Sequence, residues 1–155
     1  MTLRYFEDFA EGDRLDIGTH RITAEEIIEF AEQFDPAPFH LSHEGGQASM
    51  LGALSASGWQ TCAILMRMMC DSFLLETASQ GAPGVETCSW LAPVHPGDTL
   101  HGAVSVVSAR RSASRPGLGI VGFRCEVFNQ REEKVLTMET ALLAATADAP
   151  RQEVQ

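Results

Sequence analysis

The run Asp35-Pro36-Ala37-Pro38-Phe39-His40 holds a carboxylate and an imidazole five residues apart with two prolines between them. The prolines keep the pair off a regular helix and stiffen the segment, so the two side chains stand in a set relation. An imidazole beside a carboxylate can act as a general base near neutral pH. On spacing alone a plainer alternative stays open, in which Asp35 caps a turn and His40 is an ordinary polar loop residue. A second candidate is Ala56-Ser57-Gly58-Trp59, at the start of an apolar stretch. The first N–H groups of a helix lack intrahelical partners and carry partial positive charge, which suits a developing oxyanion. Gly58 has no Cβ and would let a ligand approach the backbone. It could equally permit tight helix–sheet packing, with Ser57 acting only as an N-cap. The third candidate is Arg110, Arg111 and Arg115, the only basic cluster of the chain. Arginine suits phosphate, and a solvated hairpin tip is the alternative.

Other chemistry finds no support. His20, His43, His95 and His101 have no partner at metal-ligand spacing, so no metal is expected and these histidines read as surface or structural. There is no GxGxxG, P-loop or GxSxG. None of the four cysteines lies in a CxxC. Cys62 and Cys70 share one predicted helix about 12 Å apart, beyond the roughly 7 Å reach of a disulfide. Reduced thiols of a cytosolic protein are the simplest expectation.

These residues need elements to position them. Thr23 and Glu26 form a capping box; Ile27, Ile28, Phe30, Ala31 and Phe34 continue with helical spacing, and Pro36 and Pro38 end the pattern. Residues 35–54 read as an ordered loop with at most a short helix near Ser42–Met50. Ser57 then caps a long helix that Gly81 and Pro83 terminate. At about 20 residues it would span roughly 30 Å. Its polar residues Gln60, Arg67 and Asp71 make one narrow stripe, with Arg67 and Asp71 able to pair at i,i+4. Trp59, Cys62, Ile64, Leu65, Met66, Met68, Met69, Phe73 and Leu74 cover the rest, so protein must surround it; the three methionines are core filler. Charges at Arg67 and Asp71 exclude a membrane span.

Beyond this helix the period changes to two. Strands are expected at Val85–Leu91, Thr99–Ala109, Ile120–Phe128 and Leu136–Ala144, with Arg14–Ile22 adding another. Turn signals at 93–98, 115–117 and 129–132 suit antiparallel connections. The expected architecture is α+β: an antiparallel sheet curled around one long helix.

The 155 residues fit one domain, expected over 1–146 with a frayed tail over 147–155. Apolar residues are 45% and charged residues 21%, ordinary for a globular protein. A chain of this length buries roughly 70% of its unfolded surface and needs no disulfide. The net charge of −10 disfavours nucleic acid and anionic membranes as partners. Met1–Asp8 carries Arg4, Glu7 and Asp8 without an apolar core, so no secretory signal is expected and a cytoplasmic location follows.

The order of these segments (a capped helix, DPAPFH, a Gly-rich loop, ASGW, WLAPVHPGDTL, RRSASRPGLGIVGF and EVFNQ) resembles the MaoC-like dehydratases, relatives of the (R)-specific enoyl-CoA hydratases, over roughly Phe6–Thr146. The resemblance implies a hot-dog fold and a homodimer with active sites at the subunit interface. The family's D-x-N-P-x-H maps its Asp to Asp35, its Pro to Pro38 and its His to His40. It implies that Asp35 and His40 hold and activate a water. Gly58, with Ser57 before it, would bind the thioester oxygen through the backbone. The implied reaction adds water to a trans-2-enoyl thioester. It uses no cofactor beyond the coenzyme A of the substrate, whose phosphates Arg110, Arg111 and Arg115 would meet. Three departures stand out: the motif Asn is Ala37, Ser57 replaces a His, and Met66 occupies a polar position. A hot-dog thioesterase and a non-catalytic acyl-thioester-binding subunit are the competing readings.

Overall fold

The computed structural model describes residues 2–149. The five strands are β1 (Arg14–Arg21), β2 (Val85–Trp90), β3 (Thr99–Arg111), β4 (Leu118–Phe128) and β5 (Lys134–Ala145). They form one antiparallel sheet in the order β1-β3-β4-β5-β2. Alternation does the sorting: Val121, Phe123, Cys125 and Val127 of β4 are all essentially buried, while the residues between them face outward. Against this inner face lies α4 (Gly58–Ser72), with Ile64, Leu65, Met68 and Met69 turned into the core. The architecture is the α+β layout expected from the residue pattern, an antiparallel sheet curled around one long helix, and agrees with the hot-dog fold that the resemblance implies.

The remaining helices are α1 (Ala24–Phe34), α2 (Pro38–Leu41) and α3 (His43–Gln47). α1 has the expected reciprocal cap: Glu26 N–H donates to Thr23 Oγ1 at 3.2 Å, and Thr23 N–H to Glu26 Oε2 at 2.8 Å. The expected loop with at most one short helix is in fact two short helices, α2 and α3. Gly45 and Gly46 allow this tight folding, since a Cβ on Gly45 would lie 2.1 Å from the Pro38 carbonyl oxygen and one on Gly46 2.1 Å from Leu54 N.

α4 differs from expectation in two ways. It has 15 residues rather than about 20. The chain leaves the helix at Phe73, whose ring enters an edge-to-face cluster with Phe9 and Phe123 at centroid distances of 6.3 and 5.7 Å. Burying that ring fully is worth about 2–3 kcal/mol, and Leu74–Glu76 follow as a 3-10 turn. Nor is the exposed stripe of α4 the polar one expected. Gln60 is buried and donates from Nε2 to the Glu26 carbonyl at 2.9 Å. Trp59 and Met66 instead are 64% and 51% exposed, beside the Arg67–Asp71 pair at 2.9 Å.

Three histidines that lacked partners in the sequence have them in the fold. His20 Nε2 lies 3.2 Å from Glu26 Oε1 and His101 Nε2 3.0 Å from Glu132 Oε1; His95 Nδ1 lies 3.1 Å from the Leu54 carbonyl. Ala147 N–H donates to Glu7 Oε2 at 3.0 Å and Ala149 N–H to the Thr146 carbonyl at 3.0 Å. The rest of the expected tail, 150–155, lies outside the described residues.

Candidate active site

α1 ends at Asp35, whose N–H still reaches the Ala31 carbonyl while its φ of −151° turns the chain away. Two prolines then restart it as α2, with Pro38 at the first helical position, where a missing N–H costs nothing. Ala37 is the N-cap of α2 and offers no side-chain hydrogen bond. A D-x-N-P-x-H asparagine would stand at that cap, so Ala37 costs α2 about 1 kcal/mol of capping. His40, in the last turn of α2, is buried with its ring edge-on to Phe39 at 4.5 Å.

The segment before α4 is pinned on both sides. Ser55 N–H donates to the Phe39 carbonyl at 3.2 Å, and Ala56 N–H to the Val94 carbonyl at 2.8 Å. This extended strap brings the Ser55 carbonyl to His40 Nδ1 at 2.5 Å. A carbonyl only accepts, so Nδ1 carries the proton and a neutral His40 presents its lone pair at Nε2. That Nε2 lies 3.4 Å from Asp35 Oδ2. The same carboxylate oxygen accepts a hydrogen bond from Ser57 Oγ at 2.7 Å. Two acceptors, Nε2 and the carboxylate, therefore converge from α2 and from the end of α1. A water seated beside them can donate one hydrogen to each and keep its lone pairs for an electrophile.

Asp35, Ser55, Ala56 and Gly58 border a cavity of about 400 Å³ whose apolar wall includes Trp59, Trp90, Leu91 and Val94. The Gly58 N–H, the first of α4, has no hydrogen-bond partner among the described residues. It is available to an oxygen in the cavity, with the dipole of a 15-residue helix behind it.

Two site residues also do the capping and packing work that the plainer alternatives gave them. Ser57 is fully buried; its single O–H is given to Asp35 while Oγ accepts from Trp59 N–H at 3.3 Å. Its hydroxyl has no donor left for a thioester oxygen and orients the carboxylate, while its backbone N–H has no partner among the described residues. Gly58 is explained by packing: a Cβ there would lie 2.5 Å from Trp90 Cε2, and the Trp90 indole N–H donates to the Gly58 carbonyl at 2.9 Å. The structure thus brings Asp35, His40, Ser57 and Gly58 together. Within one chain it does not bring Arg110, Arg111 and Arg115 to them. Arg111 is level with Gly119 on β4, whereas Trp90 is level, through Leu136, with Val127, eight residues further along. At strand rise that is about 27 Å. Arg111 is also engaged, with Glu7 at 2.8 Å and Asp148 at 3.4 Å. Met66, exposed on α4, lies outside the cavity wall.

Sequence reasoning missed the Ser55 carbonyl and Trp90. Neither has a spacing signal, since each reaches its partner across the fold. Among the described residues no cluster of three metal-ligating side chains occurs, and no helix is long and apolar enough to cross a membrane.

The family described as MaoC like domain matches residues 9–123, well over half of the chain. The chain belongs to the MaoC-like dehydratase family. A MaoC-like dehydratase from Rhodospirillum rubrum is 39% identical, with 97% of this chain and 99% of that one covered at a TM-score of 0.83. The Bacillus subtilis protein YdeM, itself uncharacterised, is 26% identical over 137 residues, which span 88% of this chain and 96% of YdeM. The R-hydratase PhaJ1 of Pseudomonas aeruginosa, at 19% identity, shares the fold with a TM-score of 0.72 over 97% of this chain and 96% of its own. As a member of that family the chain is of the hydratase/dehydratase kind.

Proposed function

We propose that this MaoC-like protein hydrates the double bond of a trans-2-enoyl thioester reversibly to a 3-hydroxyacyl thioester. The observation that carries the reading is the approach of His40 Nε2 to Asp35 Oδ2 at 3.4 Å, with Nδ1 pinned to the Ser55 carbonyl, at a cavity that also holds a free helix N-terminal N–H. The water held by the pair attacks C3. Its oxygen bonds to carbon as a proton passes to the Asp35/His40 pair, and the alkene electrons move into the thioester as an enolate. Gly58 N–H stabilises the oxyanion. The enolate then collapses and takes a proton at Cα from the pair, so that one water is added and nothing is oxidised or reduced. No cofactor enters beyond the carrier of the acyl group.

In our reading coenzyme A is that carrier and the working form is a homodimer. β2 is one of the two edge strands, with its outer edge unpaired among the described residues, and Val85, Trp90 and Leu91 on or beside it are exposed together with Trp59 and Met66 of α4. Such an edge invites pairing with another strand. Antiparallel pairing of β2 with a second copy reverses that copy end for end. Its basic cluster would then sit at the same end of the joined sheet as this chain's cavity, which would restore the phosphate role of the arginines across the interface.

The test is incubation with crotonyl-CoA. Loss of enoyl absorbance without release of free thiol supports hydration. Thiol release would make the protein a thioesterase, and no change with crotonyl, branched or longer enoyl-CoA substrates would leave it a binding subunit.

A further inference from the structure

Cys62 and Cys88 are 26 residues apart in the sequence, yet their sulfurs are 3.7 Å apart in the fold. Cys62 lies one turn beyond Gly58 on α4, and Cys88 lies two residues before Trp90 on β2. Residues two apart on a strand share a face, so β2 meets α4 at two successive rungs, Trp90 over Gly58 and Cys88 against Cys62. We propose that Cys62 and Cys88 are a redox site, closing to a reversible disulfide that fixes the edge strand β2 to the first turns of α4 beside the cavity.

The four cysteines are not equivalent. Cys125 is fully buried in the core, and burial pushes its thiol up to about 12, which makes it inert. Cys62 and Cys88 are only partly buried, and each faces another sulfur. Burial first, and then the neighbouring Cys88, raise the Cys62 thiol to about 12. Cys62 therefore keeps its proton through the first step. With hydrogen peroxide as oxidant, the Cys88 sulfur takes one peroxide oxygen, the O–O bond breaks, and the departing hydroxide leaves as water with the Cys88 proton. The Cys62 sulfur then attacks the sulfenic sulfur of Cys88. The S–S bond forms, the S–O bond breaks, and the leaving hydroxide takes the Cys62 proton as a second water. Two thiols and one peroxide give one disulfide and two waters, and a dithiol reverses the change by exchange.

Closure from 3.7 Å to a bond length of about 2.05 Å draws β2 and α4 together by up to about 1.7 Å. The crosslink also closes a 26-residue loop, which predicts a rise in Tm of about 5–10 °C.

The experiment is independent of any enzymatic assay. The full chain is treated with hydrogen peroxide, quenched with catalase, unfolded, and its thiols counted and its peptides mapped by mass. The expected result is a fall from four thiols to two, with the Cys62 and Cys88 peptides linked within one chain and restored by dithiothreitol. Tm should rise in the wild type and not in Cys62→Ser or Cys88→Ser. In Cys62→Ser, peroxide should leave a sulfenic acid at Cys88 that a dimedone probe captures. Four thiols surviving at peroxide levels that oxidise free cysteine, or a link that uses Cys70 or Cys125 or joins two chains, would overturn the proposal.

Discussion

Replacing Gly58 by Ala tests how the fold frames the site. The added Cβ would lie 2.5 Å from Trp90 Cε2, 2.6 Å from Nε1 and 2.8 Å from Cδ2, where ordinary contact starts at 3.4 Å. The indole must therefore retreat by 3.4 − 2.5, or about 0.9 Å. It can do so, because Trp90 is 45% exposed on an edge strand. The retreat breaks its 2.9 Å hydrogen bond to the Gly58 carbonyl, worth about 0.5–1.5 kcal/mol, and such overpacking costs roughly 1–3 kcal/mol in all. The better helix propensity of Ala returns at most about 1 kcal/mol. In a Trp90→Ala background the obstacle is gone, and Gly58→Ala should be close to neutral. Urea denaturation of the four proteins should thus yield a coupling of about 1–3 kcal/mol between the two sites. A coupling below about 0.5 kcal/mol, the usual error of additivity, would refute the packing argument and return Gly58 to a role in ligand approach alone.

Asp35→Asn and His40→Asn should each lower kcat on an enoyl thioester by a factor on the order of 10² to 10⁴, measured by enoyl absorbance with the fold checked by circular dichroism. Because His40 is buried against the Ser55 carbonyl, His40→Ala should also lose about 1–3 kcal/mol of stability, and Asn, which can still donate to that carbonyl, should lose less. Ser57→Ala removes a 2.7 Å hydrogen bond to Asp35; a bond to a charged group is worth about 1.5–3 kcal/mol, so kcat should drop roughly 10- to 100-fold at nearly constant KM. Arg110→Ala and Arg115→Ala should raise KM for a CoA thioester and leave kcat unchanged, while a substrate without the nucleotide should be indifferent. Sedimentation at micromolar concentration should give a dimer, and a monomer there would count against the edge-strand interface.

Much of this molecule is local in origin and was legible as such. The capping box at Thr23 and Glu26, the period-two runs of β3 and β4, the Arg67–Asp71 pair and the proline-stiffened Asp35–His40 segment all depend on neighbours within a few residues. The nearness of Asp35 to His40 could be read for the same reason. The roles of those residues could not. The bonds that assign them join groups far apart in the chain: His40 to Ser55 across 15 residues, Asp35 to Ser57 across 22, Cys62 to Cys88 across 26 and Gly58 to Trp90 across 32. No periodicity encodes such pairs, because each exists only once the sheet has curled around α4. The end of α4 was misplaced for a related reason: the burial of Phe73 between Phe9 and Phe123 outweighs the helical propensity of the residues that follow. The sequence by itself determined the strands, the capped α1 and the pairing of a carboxylate with an imidazole in one stiff segment. Tertiary packing decided which nitrogen of His40 is free, what Ser57 donates to and why position 58 is glycine, because hydrogen-bond partners and excluded volume are properties of the assembled fold.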